Sequence, residues 1–230
     1  MYGLLNIDKN TGITSFGVVN KIRYLTGVKK VGHSGTLDPF ATGVLLVFVG
    51  REVTKHISKF SDLDKEYYAK VKFGEKTDTA DLTGKVLEEE PIPELSIPQI
   101  ESIFKNFIGE IQQVPPMYSA IKKDGIPLYK LARKGKTIER ESRRIEVKEL
   151  KLLEYKQPFL EFSALVSKGT YIRTLAEDIA EKLGTLGHLV ELRRIRIGNF
   201  HLNDALKLVE LNKENIRNMM IPISNYLNIN

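Results

Sequence analysis

The sequence predicts an α+β fold, a mixed and largely antiparallel central sheet flanked by helices and loops, in one domain over residues 1–230. Val44-Leu45-Leu46-Val47-Phe48-Val49 is a continuous apolar run, the pattern of a strand covered on both faces. Tyr67, Ala69, Val71 and Phe73 alternate with Tyr68, Lys70 and Lys72, as a strand with one buried face requires. Strand-like segments outnumber helical ones and do not alternate strictly with them, which disfavours a doubly wound α/β arrangement.

Taken in order, Leu4 to Asp8 reads as a short strand. A helix follows, with Ser15 as its cap, Val18, Val19, Ile22 and Leu25 on one face, and Gly27 as its stop. Gly32 to Pro39 reads as a turn-rich loop leading into the buried strand. Val53, Ile57 and Phe60 suggest a helix, and the alternating strand then ends in a polar turn, Thr77 to Gly84. The Pro-rich stretch 91–98 leads to a helix carrying Ile100, Ile103, Phe104 and Phe107, stopped at Gly109. Strand-like segments recur at 145–155 and 159–167. Thr170 opens a helix with Ile172, Leu175, Ala176, Ile179 and Leu183 inward, closed by Gly184. Leu192 to Ile197 is another strand, followed by a short helical tail.

Composition narrows the chemistry. The 230 residues include no cysteine, which excludes disulfides, thiol catalysis and Cys-ligated zinc. The four histidines (His33, His56, His188, His201) lack the close spacing of a zinc helix, so neither a metal nor a metal-dependent reaction is expected. No apolar run is long enough to cross a bilayer, and the N-terminus lacks the pattern of a secretory leader. A cytoplasmic protein, acting as a monomer and away from membranes, is the expectation. The formal net charge is +6, and Lys122 to Arg144 alone holds nine basic residues against three acidic ones. Such a segment suits RNA phosphates, although a solvated basic face gives the same composition.

Candidate site residues emerge from the loop before the buried strand. Its glycines relax the backbone and present His33, Thr36 and Asp38 at a sheet rim, where sites tend to sit. Asp-Pro is also an ordinary turn pair, and His33 reads most simply as a turn residue bonded to backbone. Arg173 falls in the first turn of the helix opened by Thr170, where a cation is unfavourable unless an anion lies close by. The carboxylate of Asp38 or an RNA phosphate would serve, and a side chain extended into water is the alternative. Tyr67 is a core residue by its alternation, or a shelf for a base if it faces a cavity.

Together these segments resemble the TruB-type tRNA pseudouridine synthases. Gly32-His33-Ser34-Gly35-Thr36-Leu37-Asp38-Pro39-Phe40-Ala41-Thr42-Gly43-Val44-Leu45 is similar to that family's catalytic loop. Lys65 to Gly74 with Thr77-Asp78-Thr79, Val114 to Arg133, Ser167 to Thr174, and Leu192-Arg193-Arg194 resemble its other blocks in the right order, from about Leu4 to about Pro222. The resemblance implies a pseudouridine synthase fold and isomerisation of uridine 55 in the tRNA T-loop, with the target base flipped out of the RNA and no cofactor. It implies Asp38 as nucleophile, Arg173 as its partner, and Tyr67 as stacking residue and possible base for the C5 proton. His33, Tyr171 and Leu192 then line the uridine pocket, and Lys122, Lys130, Arg133, Lys134 and Lys136 meet the RNA backbone of the T-arm. The attack of Asp38 on uracil C6 or on ribose C1′ stays open. Longer family members carry a C-terminal PUA-type RNA-binding domain, and the sequence is expected to lack one.

Two other readings share some of these features. An RNA-binding or RNA-folding protein needs the basic segment and the tyrosines but not Asp38 with Arg173. A phosphate-ester hydrolase with an aspartate nucleophile usually has a second acid two positions on, where this chain has Phe40.

Overall fold

The structure is a computed structural model that describes residues 2–227. The chain forms two compact units, one made of residues up to 67 and from 192 onward, the other of 68–191.

In the first unit, β1 (Gly3–Lys9) leads to α1 (Ser15–Thr26), β2 (Val31–Ser34) and β3 (Thr42–Val49). Strand β3 pairs antiparallel with β1 and with β2. Its two faces feed two separate cores. Leu45, Val47 and Val49 pack with Leu5, Ile7 and the α1 residues Val18, Val19 and Ile22. Val44, Leu46 and Phe48 pack with Leu4, Val53, Phe60, Ile197 and Phe200. That double coverage is why the strand reads as unbroken apolar sequence.

The single helix expected around Val53 and Phe60 is two short ones, α2 (Arg51–Thr54) and α3 (Ile57–Ser61). The cap of α1 is Thr14, whose side chain accepts from the Gly17 N–H; Ser15 is instead the first helical residue and is buried. The chain leaves the first unit along β4 (Lys65–Phe73).

The second unit continues with the hairpin β5 (Glu75–Thr77) and β6 (Val86–Glu89), then α4 (Ile97–Lys105) and β7 (Gly109–Gln113). Ser96 and Gln99 form a capping box at the start of α4, and the helix ends at Asn106, three residues before the expected Gly109. A small hairpin follows, β8 (Lys122–Lys123) and β9 (Ile126–Pro127), with α5 (Leu128–Ala132) behind it. Long strands β10 (Arg143–Lys156) and β11 (Phe159–Val166) pair antiparallel, and β7 adds to β10. The ladder in this unit runs β4-β11-β10-β7.

Helix α6 (Ile172–Lys182) buries Ile172, Leu175, Ala176 and Ile179, as its periodicity predicts. Its N-cap is Tyr171 and not Thr170, whose hydroxyl donates to the Ser167 carbonyl. Strand β12 (Gly187–Ile197) begins five residues before the expected Leu192 and carries the chain back into the first unit. There β13 (Phe200–His201) pairs with β12, β14 (Leu206–Lys207) joins β1 in parallel, and α7 (Ser224–Leu227) follows. Strand β12 also meets β3 in parallel through Arg193↔Thr42 and Arg194↔Gly43. The first unit's ladder is therefore β14-β1-β3-β12, and antiparallel pairs dominate the whole. No helix among the described residues is long and apolar enough to cross a membrane.

Candidate active site

The site-bearing loop of the first unit joins β2 to β3. His33 and Ser34 lie on β2, not in a turn as the glycines suggest, because β2 finds ladder partners along β3. The rest of the loop, Gly35 to Ala41, is held from below by side chains whose hydrogen bonds end on its backbone. Ser15 Oγ donates to the Leu37 carbonyl at 3.1 Å and accepts from the Leu37 N–H at 2.9 Å. Lys9 Nζ reaches the carbonyls of Asn10, Ile13 and Pro39 at 3.0, 2.9 and 3.3 Å. Thr11 donates to the Phe40 carbonyl. Leu37 and Ala41 are buried on either side of Asp38, which is left half-buried. Two apolar anchors and a bonded backbone thus hold the half-buried Asp38 in a fixed position.

Two buried cations surround this loop. Lys9 is fully buried, and burial pushes its ammonium down to about 8; the Asp38 carboxylate pulls it up, Arg194 pushes it down, and Asp8 pulls it up. Arg194 is 1% exposed. Its Nε donates to the Val44 carbonyl at 2.7 Å, one terminal nitrogen to the Gly35 carbonyl at 3.0 Å, and the other to the Tyr67 hydroxyl at 3.4 Å. Its guanidinium lies 6.0 Å from the Tyr67 ring centroid. The neighbouring Arg193 points the other way and pairs with Asp8 at 3.0 Å.

Close passage of β12 explains the glycine of Ala41-Thr42-Gly43. Gly43 has φ +100°, and a Cβ there would fall 2.2 Å from the Arg194 carbonyl oxygen. No other residue fits without moving β12.

The remaining first-unit candidates sort clearly. Tyr67 is buried on the inner face of β4, with its hydroxyl on Arg194. Leu192 is buried on β12. His33 is half-buried, and its Nδ1 is enclosed without a hydrogen bond, contrary to the backbone-bonded turn residue expected. Burial and then the charge of Arg194 lower its pKa, which favours the neutral imidazole.

In the second unit, Arg173 is 3% exposed and does not extend into water. It donates to the carbonyls of Thr79 and Tyr118, both at 2.7 Å, and its Nε lies 3.8 Å from an Asp81 carboxylate oxygen. The polar turn Thr77 to Gly84 is built to hold this arrangement. Asp81 Oδ1 accepts from the Thr79 hydroxyl and from the Thr83 N–H, and Thr77 donates to the Asp81 carbonyl. Asp81 is not among the residues the sequence singles out; its signal is the three threonines, Thr77, Thr79 and Thr83, that flank its carboxylate in the turn.

Tyr171 supplies the cap of α6, with its N–H and carbonyl both bonded to the Gln113 amide. Lys122, Lys130, Arg133, Lys134 and Lys136 are exposed, with Lys122 on β8, Lys130 on α5 and Arg133 stacked 5.5 Å from the Tyr129 ring. The segment that carries them touches Arg173 through the Tyr118 carbonyl. Among the described residues no group of three or more His, Cys, Asp or Glu side chains is arranged to hold a metal.

Comparison with known proteins converges on one family. Residues 23–172 match the N-terminal domain of the TruB family pseudouridylate synthases, and residues 173–227 the tRNA pseudouridylate synthase B C-terminal domain. A tRNA pseudouridine synthase B of Clostridium tetani is 46% identical over 96% of this chain and 76% of its own length. One from Geotalea uraniireducens is 47% identical over 90% of this chain and 67% of its own. Among solved structures, a Cbf5–Nop10–Gar1 complex matches with a TM-score of 0.75 and 29% identity, covering 96% of this chain and 60% of that one. An H/ACA RNP bound to a substrate RNA containing 2′-deoxyuridine matches at 0.68 and 28%, covering 91% and 52%. The chain spans half to three fifths of those two longer polypeptides.

Proposed function

The chain belongs to the TruB family of pseudouridylate synthases, and we propose that it isomerises uridine 55 in the T-loop of tRNA to pseudouridine. The observation that carries this reading is the β2–β3 loop, where a half-exposed Asp38 stands on a backbone bonded to Lys9, Thr11, Ser15 and Arg194. A nucleophile needs this combination of fixed position and open access.

The reaction breaks the bond from ribose C1′ to uracil N1 and forms one from C1′ to C5. The C5 proton leaves, N1 gains one, and the composition of the RNA is unchanged. No electron or group is imported, so side chains suffice. Asp38 acts as the nucleophile, and Arg173 pairs with it. Tyr67 stacks on the flipped uracil and is the candidate base for the C5 proton. His33, Tyr171 and Leu192 line the uridine pocket. Extrusion of the base costs a few kcal/mol, which apolar and aromatic contacts offset. Lys122, Lys130, Arg133, Lys134 and Lys136 contact the T-arm phosphates. We read residues 1–230 as one catalytic domain that works as a cytoplasmic monomer.

The test is Asp38→Asn. Carbodiimide labelling with primer extension on tRNA should detect no pseudouridine, while tRNA affinity and melting temperature stay close to the parent's, because the carboxylate is a reacting group and not part of the apolar core. Turnover within tenfold of the parent would remove Asp38 from the chemistry.

A further inference from the structure

We infer that Arg194 is a positioning residue for the isomerisation, fixing Tyr67 and the Asp38 loop in one frame. The inference rests on the function proposed above and concerns a residue that this reading places beside the loop but gives no part in the reaction.

A fully buried guanidinium is costly unless its donors are satisfied. Arg194 meets that demand with three acceptors on three different segments: the Val44 carbonyl on β3, the Gly35 carbonyl at the start of the catalytic loop, and the Tyr67 hydroxyl on β4. None of the three is a carboxylate. A cation placed only to stabilise the fold would more economically be an apolar side chain, since replacing buried charge by packed hydrocarbon is often neutral or stabilising. What the planar fork adds is direction. Its three donating nitrogens are rigid relative to one another, so the loop, the tyrosine and the strand between them cannot move independently. Gly43 strengthens the point. The backbone of Arg194 lies against it so closely that even a Cβ is excluded, so the base of the side chain is as fixed as its head.

The consequence for the reaction is geometric. Gly35 lies three residues before Asp38, and Tyr67 is the proposed shelf for the base whose ring that carboxylate or its sugar must meet. Displacement by about 1 Å at such a pair is enough to cost about a hundredfold in rate. Arg194 never needs to touch the RNA to have this effect.

The experiment compares Arg194→Lys and Arg194→Gln with the parent by single-turnover conversion at saturating tRNA, by tRNA affinity, and by melting temperature. Lys keeps the charge but not the fork, and Gln keeps hydrogen bonding but not the charge. We expect both to lose at least about tenfold in the saturated rate, with affinity within about threefold, at a temperature where melting curves show both fully folded. The Lys variant should give no rescue over Gln.

A Lys variant within threefold of the parent's saturated rate overturns the inference, since charge or bulk is then all that matters. Failure of both variants to fold also overturns it, because Arg194 then serves the fold alone. If the parent itself makes no pseudouridine in the same assay, the failure lies with the proposed function and not with Arg194.

Discussion

Arg173 and the trio Arg133, Lys134 and Lys136 belong to the same unit and carry the same charge, yet the structure treats them oppositely. Arg173 is buried, with two carbonyls and a carboxylate around its guanidinium. The trio is exposed on and after the end of α5. A cation whose geometry is fixed from several sides contributes orientation, which affects a reaction step. A cation on a free stem in water contributes potential, which affects affinity and its dependence on salt. The contrast explains why one chain uses arginine in both ways, and why counting basic residues in a sequence does not distinguish them.

The largest expected effect is at the buried end of this comparison. Arg173→Lys keeps the charge but cannot reach two carbonyls and Asp81 with one planar group. The saturated single-turnover rate should fall about a hundredfold, with tRNA affinity changed by less than about threefold. Unsatisfied carbonyls should also lower stability by about 1–3 kcal/mol in urea melts. Collapse of affinity with survival of the saturated rate would break the contrast, making Arg173 one more residue that grips phosphate.

At the exposed end, joint reversal of Arg133, Lys134 and Lys136 to Glu should weaken tRNA binding and reduce the slope of log K against log salt by about 2–3, from roughly 0.7–0.9 for each phosphate that is no longer neutralised. The saturated rate should stay within about threefold. An unchanged slope means that this face meets solvent and that the RNA is held elsewhere.

The smallest effect sharpens what burial costs. Glu177 lies one turn beyond Arg173 on α6, and burial raises its carboxyl to about 7; Lys76 opposes the rise, Asp178 adds to it, and Arg173 and Arg140 oppose it. A carboxyl raised on folding binds more protons in the folded state between the two pKa values. Stability is therefore fully present below about 4.5 and falls as pH rises through the folded value near 7. Glu177→Gln should leave stability at pH 4 almost unchanged and raise it at pH 8 by on the order of 2 kcal/mol, read from urea melts at the two pH values. Equal effects at both would mean that Glu177 is solvated and that the interior around Arg173 is less closed than its exposure indicates.

Much of the fold was legible, for reasons that residues make plain. Strand β3 has two apolar coats and so reads apolar throughout; β4 and β11 have one and alternate; α1, α4 and α6 repeat with the helical period. What escaped was decided by partners distant in the chain. Thr14 and Ser15 are both good caps, and Ser15 loses the role because Leu37 takes its hydroxyl. Gly32 looks like a turn residue, but it sits on a strand paired with β3, and it is glycine there because a Cβ would come within 2.7 Å of the Ile57 side chain. The candidate site residues were found through the motif resemblance more than through their own chemistry, and Arg194 and Asp81 were missed. Arg194 did leave a trace. In Leu192-Arg193-Arg194-Ile195 two arginines are adjacent on one strand, so whichever face is buried, one guanidinium must go with it.

The discontinuity of the first unit has a consequence for how the enzyme is made. Gly43 and Gly35 meet Arg194 only after the chain has passed through the whole of 68–191 and returned. On a ribosome adding about 5–20 residues each second, that interval is on the order of ten seconds. Through it the nascent Asp38 loop exists without the strand that clamps it, and the anchor for the Tyr67 hydroxyl has not been synthesised. On the proposed mechanism, the hydrogen-bonded frame around Tyr67 and the Asp38 loop is therefore complete only when the returning strand docks.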